Sequence, residues 1–544
     1  MKNKTFLFHD YETYGLNTKK TRVSQFAAIR TDEDFNIIAE KEYDLMSVPP
    51  IDFIPSPEAC LVTGITPHSI TKNNIPHLND YQLFSKIFEI FNEPGTCSLG
   101  YNSVNFDDEI TRNGFYRNLF PPYTREFKSD CSRFDLLNIV REFAFLYPDD
   151  IKVPKDENGS PVFKLDTIAP LNGFKEDSYH NAFTDVKATI FLAKLIKEKQ
   201  PEYWNLKINT YKKQEVIKYL NNNRNNPLIY THSTNGGKSD FVEPVFIVAH
   251  AYPDANSYIG VKLSDLNSIK NILEIPLDEI KSKLYLKNEE LEEEGLTRLP
   301  FVKITANKLP VITSYLNEAD KINIKKINKP LSEINQNLSF IKENIESFRK
   351  SAMAAFKNEG FNNDNKNSDL MIYDGFMSPN DESIANQFRK NINNKIFKPY
   401  ITENLFSSEK LNDLARKVIY RNFSEEIISD PELKDYYFSF LKRSHEIIKN
   451  GFDSSYNYTE EELKNENFMK NDKMVEFNLQ EMREIIPELI EKYKDDPEKS
   501  QIINDFRSSL NDLISEYKNK NALLTSDQVV KKEEKKKSYN RPGM

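Results

Sequence analysis

The run TFLFHDYETY, residues 5–14, sets the first limit on how this chain folds. Phe6 to Phe8 is apolar without a break, and the run ends in Asp10 and Glu12. A short apolar stretch rich in aromatic residues predicts a buried strand. Side chains alternate across a strand, so Asp10 and Glu12 share one face and Tyr11 takes the other. Two carboxylates together at the end of a buried strand repel each other and are poorly hydrated. A hard divalent cation, which prefers oxygen ligands, resolves that conflict.

The rest of the chain divides by texture. At 544 residues it is too long for one core, and about three domains are expected. In residues 1–200, VSQFAAIRTD, NIIAEKEYDLM and TCSLGYN predict further strands. Helical spacing marks NDYQLFSKIFEIF, DDEITRNGFYRNL, RFDLLNIVREFAFLY and DVKATIFLAKLIKEKQ. This order predicts an α/β domain with a mixed sheet. Residues 201–355 open with a polar helix, YKKQEVIKYLNNN, and then carry short strand signals in PVFIVAHAY, SYIGVKLS, KLYLK and PFVKITANKLPVIT. They suit a small β domain. The 3.6-residue period dominates from about Leu331, and residues 356–518 are expected to form a helical domain. Residues 519–544, rich in lysine and poor in apolar anchors, are expected to be a disordered tail.

Bulk composition excludes several classes. Apolar residues make up 38% of the chain, enough for packed cores. Cys60, Cys97 and Cys131 are far apart and form no CxxC pair, so neither a disulfide framework nor a thiolate zinc site is expected. No leader-like or membrane-spanning apolar run is present, which predicts a cytoplasmic protein without membrane contact. The net charge of −9 does not announce a nucleic-acid binder, but 74 Lys and Arg residues are enough to line a groove.

Two more segments carry acids at the ends of predicted elements. GYNSVNFDDEITRN places Asn102 after a strand and Asp107 at the start of a helix. HNAFTDVKATIFLAKLI places His180 five residues before Asp185. In one continuous helix these two would lie about 140° apart. They converge only if His180 precedes the helix, with Asn181 as its cap. TRNGFYRNLFPPYTREF interleaves Arg112, Arg117 and Arg125 with Phe115, Tyr116, Phe120 and Tyr123. Arginine beside aromatic rings is how single strands are gripped without sequence preference.

Asp10-x-Glu12, Asn102…Phe106-Asp107 and His180-x4-Asp185, in that order, resemble the DEDDh 3′→5′ exonuclease superfamily. FLFHDYETYG, QFAAIRTD, LVTGITP, LGYNSVNFDDEITRNGFYRN, FKLDTIA and HNAFTDVKATIFLAKLIK are most similar to its three-domain bacterial branch acting on DNA. Weaker echoes are NKLPVI, YDGFMS and YRNF. The resemblance implies an RNase H-like exonuclease domain with a mixed sheet, then an SH3-like β domain, then an all-helical C-terminal domain. It implies 3′→5′ hydrolysis of single-stranded DNA to 5′-mononucleotides, processively, in DNA repair or recombination.

The implied cofactors are two Mg²⁺ ions, or Mn²⁺, held by Asp10, Glu12 and Asp185. Asp107 completes the acidic cluster, and His180 acts as general base. Substrate contacts are expected from Glu12, Lys164, Arg112, Tyr116 and Arg117, with Arg421, Lys325 and Lys326 as further candidates on the other domains. The implied partners are single-stranded DNA and the acidic C-terminal tail of single-stranded DNA-binding protein, taken up by a monomer. That tail calls for a basic pocket with an apolar floor near the second domain. Two alternatives stand beside this reading. One is an RNA exonuclease of the same superfamily. The other is a catalytically inactive binding scaffold.

Overall fold

The computed structural model describes residues 4–175, 181–231, 241–293, 295, 297–315, 331–357, 367–451 and 475–539. The N-terminal part is built on a six-stranded sheet. Its strands are β1 (Thr5–Thr13), β2 (Val23–Thr31), β3 (Ile37–Ser47), β4 (His77–Leu78), β5 (Thr96–Gly100) and β6 (Ser132–Asp135). They lie in the order β4-β3-β2-β1-β5-β6. β1 runs antiparallel to β2 and parallel to β5, so the sheet is mixed, as expected. β1 sits inside the sheet, and this is why its apolar run is continuous.

Each face of the sheet is covered by a different set of elements. Phe6 and Phe8 pack with Val186, Leu192 and Ile196 of the helix Ala182–Lys199, in a core that also takes in Phe246, Val261 and Ala352 of the second domain. Leu7 and Tyr11 pack with Phe84 and Ile87 of the helix Asp80–Phe91, in a core that runs on to Val418, Tyr437 and Phe506 of the helical region. One sheet thus cements both of the other domains.

The second domain is an antiparallel five-stranded sheet in the order β10-β9-β8-β7-β11. Its strands are β7 (Leu228–Thr231), β8 (Val242–His250), β9 (Ser257–Lys262), β10 (Phe301–Thr305) and β11 (Val311–Ser314). A buried network fastens it to the first domain. Lys207 Nζ lies 2.5 Å from Glu142 Oε2 and donates to Ile312 O at 3.0 Å, while Thr313 Oγ1 donates to Glu142 Oε1 at 2.9 Å. Beyond it the described chain is helical. No helix among the described residues is long and apolar enough to cross a membrane. The three cysteines are unpaired and buried.

Three local expectations need correction. KLYLK is not a strand: a short helix, Ile280–Leu284, ends within it and turns Ile280 into the core. Ser132–Asp135 is a strand, although RFDLL reads as the start of a helix. A free parallel edge on β5 captures it, pairing Cys97 with Ser132 and Gly100 with Asp135. Of the segment expected to be a disordered tail, residues 519–539 fall in the helix Pro497–Tyr539 and the rest lies outside the described residues. Its sequence holds no Gly or Pro before Pro542 and spaces Glu533 four residues before Lys537, a helix-supporting pattern. The loop NEGFNNDNKNSD lies mostly outside the described residues, as do Lys325 and Lys326.

Close packing holds the helix Asp107–Arg117 to its neighbour. A Cβ at Gly114 would stand 2.0 Å from the ring of Phe84, which is itself fully buried. Gly114→Ala is expected to destabilise the protein by about 1–3 kcal/mol through overpacking. Urea denaturation followed by circular dichroism measures it.

Candidate active site

The sheet pairs Asp10 with Ala27 and Glu12 with Gln25, and a bulge follows Glu12 as β1 leaves the sheet. The alternation that points Phe6 and Phe8 at the helix Ala182–Lys199 sends Asp10 and Glu12 the same way. That helix starts at Asn181, whose side chain accepts from Phe183 N at 3.0 Å. Asp185 therefore falls in the first turn, above the apolar stripe of the helix. Carboxylate oxygens of Asp10, Glu12 and Asp185 all lie within 4.8 Å of one another. Residues 175 positions apart in sequence are thus brought to one point.

Asp107 stands beside this cluster. It opens the helix Asp107–Arg117, and only 4% of it is exposed. Its Oδ1 is buried and has no hydrogen-bond partner among the described residues. The Tyr11 and Thr111 hydroxyls, hydrogen-bonded at 2.9 Å, tie this helix to β1. Asp135, at the end of β6, shapes the turn leading into it. Its carboxylate accepts from Asn102 N and Val104 N, both at 3.0 Å, and from Leu137 N at 2.9 Å. Asn102 takes φ +65°, a left-handed conformation that asparagine tolerates better than most residues. Burial pushes the Asp135 carboxyl up to about 6, with the three amides working against it.

The electrostatics of the cluster are those of crowded anions. Burial, then the neighbouring charges of Asp107, Glu12 and Asp185, push the Asp10 carboxyl well above its usual range. Burial and then Asp185 push Glu12 up to about 8. Burial and then Asp108 raise Asp107. The donor set is all oxygen and close-set. Together with the unpartnered Asp107 oxygen, that fits hard divalent cations.

Asp108 has the opposite surroundings. Its two oxygens pair with Arg125 and Arg133, all three being buried. Burial alone would raise its carboxyl, but Arg133 and Arg125 outweigh it and hold it well below the usual range. Arg125 also lies over the Phe91 ring, 4.8 Å from its centroid. The DD doublet was visible in the sequence, but the two arginine partners were not.

The expected substrate contacts fare unevenly. Lys164 is exposed and precedes the helix Leu165–Leu171. Arg117 is not available to substrate: it is 2% exposed and donates to Lys19 O at 2.8 Å and Thr21 O at 3.1 Å. Tyr116, 5% exposed, belongs to the core. Arg112 is committed to Glu109 at 2.6 Å and Glu126 at 2.8 Å. Packing within the N-terminal domain turned Arg117 toward the Lys19 and Thr21 carbonyls and Arg112 toward Glu109 and Glu126, and Tyr116 inward to the core. Arg421 is likewise a bolt between domains, its guanidinium gripping Asp52 and Asp369 at 2.6 Å each. His180 lies outside the described residues.

Comparison with known proteins agrees with this geometry. Residues 7–193 match the family model for exonucleases, and residues 211–358 match that of the exonuclease I SH3-like domain. Exodeoxyribonuclease I of Escherichia coli K12 is 34% identical over 386 residues, covering 70% of this chain and 78% of the relative. The chain belongs to the exodeoxyribonuclease I family.

Exodeoxyribonuclease I of Buchnera aphidicola from Acyrthosiphon pisum is 34% identical over 424 residues, 78% of this chain and 98% of that one. Among solved structures, E. coli exonuclease I in complex with a dA16 oligonucleotide superposes with a TM-score of 0.79 at 28% identity. It covers 94% of this chain and 100% of its own. Exonuclease I from Methylocaldum szegediense gives a TM-score of 0.79 at 26% identity, with the same coverage. The chain has the family's exonuclease and SH3-like domains followed by helices.

Crowded carboxylates make the metal-free protein less stable than it need be. Asp10→Asn is expected to raise the melting temperature in chelator and to lose most of the increase that divalent cations are expected to give the wild type. At about 100 times the dissociation constant, that linkage is worth about 2.7 kcal/mol. Differential scanning fluorimetry with and without the ions reads both effects.

Proposed function

We propose that this chain hydrolyses single-stranded DNA from its 3′ end, releasing 5′-mononucleotides, in a reaction that needs two divalent cations. The observation that carries this reading is the convergence of Asp10, Glu12 and Asp185 within 4.8 Å. The E. coli complex with dA16 supports the substrate class. Asp10, Glu12 and Asp185 would hold the cations, and Asp107 would close the acidic pocket. Bound cations supply charge neutralisation at the scissile phosphate and an acidified water. His180 would take the proton from the attacking water as its oxygen bonds to phosphorus, the bond from phosphorus to the 3′-oxygen would break, and that oxygen would take up a proton from solvent water. Glu12 and Lys164 border the terminal nucleotide, Lys164 as a point charge rather than a fork.

Contacts from all three domains support processive action by a monomer on a strand held between them, as in DNA repair or recombination in the cytoplasm. Arg133 Nη2 donates to Asn307 O of the second domain at 2.6 Å, and Tyr373 of the helical domain donates to Glu109 Oε2 at 2.9 Å. The partner reading also has a candidate pocket. A groove of about 400 Å³ in the second domain has Phe246, Val248 and Ile345 in its floor and Arg224, Lys342 and Arg349 around it. It suits the acidic, apolar-ended tail of single-stranded DNA-binding protein.

A product ladder from 3′- and 5′-labelled DNA, beside a matched RNA oligomer, tests direction and substrate. Mononucleotides from the 3′ end of DNA, stopped by chelator, are expected; activity indifferent to chelator would overturn the metal reading. His180→Ala is expected to lose about 10²–10⁴-fold in rate while keeping the metal-induced rise in melting temperature. Asp10→Ala should lose both. Arg349→Glu is expected to weaken binding of the acidic tail peptide about tenfold, as read by fluorescence anisotropy.

A further inference from the structure

The segment QFAAIRTD, residues 25–32, supplies most of β2, yet it opens on a polar residue inside the core. Gln25 is only 2% exposed. It stands opposite Glu12 in the sheet, and directly opposed residues of an antiparallel pair share a face. Gln25 therefore lies on the side of β2 that meets the helix Ala182–Lys199, where Ala27 and Ile29 of the same strand pack with Val186. A buried side-chain amide destabilises a core unless its polar atoms find partners.

Both ends of this amide are occupied. Its Nε2 donates to Asp44 Oδ1 of β3 at 2.8 Å, and its Oε1 accepts from Ala182 N at 3.4 Å. An ionised carboxylate only accepts and a backbone N–H only donates, so the two partners together fix which way the amide points. Ala182 is fully buried and opens the helix that carries Asp185. Its N–H is one of the amides that a helix leaves without a partner of its own. Asn181 serves the next one, Phe183 N. The start of this helix is thus held twice, once from its own cap and once from β2, by the residue across from Glu12. A carboxylate suits a helix N-terminus better than an amide does. At position 25, however, it would face Asp44 and add a fourth acid beside Asp10, Glu12 and Asp185. Glutamine supplies the acceptor without the charge.

We propose that Gln25 is a positioning residue of the carboxylate site: its amide fixes the first turn of the helix Ala182–Lys199 against β2, and so sets where the Asp185 carboxylate stands relative to Glu12 and Asp10. The proposal deepens the metal-dependent exonuclease reading and rests on it. Gln25 acts through Asp185, which follows Ala182 by three residues, so a displaced helix start displaces that carboxylate with it. Carboxylate oxygens that must lie within 4.8 Å of one another to share cations leave little room for such a shift. Partners that orient metal ligands are typically worth about 10–100-fold in cation affinity or activity.

The test uses the full chain, with Mn²⁺ as the probe ion and dT16 as the substrate. Gln25→Met keeps the length of the side chain and removes both hydrogen bonds. It is expected to raise about tenfold the Mn²⁺ concentration that gives half of the rise in melting temperature, and to lower kcat on dT16 about tenfold with KM unchanged. Gln25→Glu is also expected to lower kcat, because Asp44 repels the new charge. Gln25→Glu combined with Asp44→Asn exchanges donor and acceptor between the two positions at constant net charge, and is expected to restore most of kcat. Circular dichroism identifies a variant that fails to fold. Should Gln25→Met do so, Asp44→Ala, at an exposed strand position, carries the test, with a smaller shift in the same direction. A folded variant that reaches half-saturation at the wild-type Mn²⁺ concentration overturns the proposal, whatever its melting temperature in chelator, because the residue is then structural only. A wild type whose melting temperature ignores Mn²⁺, or that releases no nucleotide from dT16, overturns the metal-dependent exonuclease reading itself, and the proposal with it.

Discussion

Mutual repulsion among buried carboxylates at the end of β1 is the constraint around which the molecule is arranged. Left to themselves, Asp10, Glu12 and Asp185 would separate or take up protons. Neither β1 nor the helix Ala182–Lys199 is free to move. β1 is paired on both sides, and the helix presses Val186, Leu192 and Ile196 into the core behind it. Hydrophobic packing remote from the charges therefore holds them together, and the energy of crowding is released when cations enter. Local instability of this kind is what a metal-dependent site requires, because strong binding needs ligands that are poorly satisfied beforehand.

Adjacent residues show how finely the fold sorts charge. Asp107 and Asp108 are consecutive and both buried, yet among the described residues only Asp108 is given charged partners, Arg125 and Arg133. A buried ion pair contributes little net stability, but losing one partner strands the other charge at a cost of about 3–5 kcal/mol. The paired acid thus locks the helix Asp107–Arg117 in place, and the unpaired acid is left facing Asp10. The same division recurs with the basic residues. Arg112, Arg117 and Arg421 are spent on internal contacts, and Lys164 remains exposed.

The central sheet also explains why the three domains act as one body. The core on the Phe6 and Phe8 face continues into the second domain, and the core on the Leu7 and Tyr11 face continues into the helices. Arg421, clamped between Asp52 and Asp369, adds a directional lock to the second of these joints. Side chains of either outer domain are thereby held at fixed positions relative to the carboxylates.

Much of this was legible in the residues alone. The strand ending in Asp10 and Glu12, the capped helix bearing Asp185 and the three changes of texture are local patterns of period and composition, and such patterns survive in one dimension. Deciding what each charged side chain faces was not possible there. TRNGFYRN has the same spacing whether its arginines meet a phosphate, a backbone carbonyl or a glutamate, and the folding of the N-terminal domain chose Glu109 and Glu126 for Arg112 and the Lys19 and Thr21 carbonyls for Arg117. Ser132–Asp135 became a strand only because β5 offered an edge. The sequence by itself determined which elements form and which carry acids, since these depend on neighbours a few residues away. Only the tertiary structure decided that Asp108 is paired with Arg125 and Arg133 while Asp107 faces Asp10, and that Tyr123 meets Phe376, because those outcomes depend on partners elsewhere along the chain.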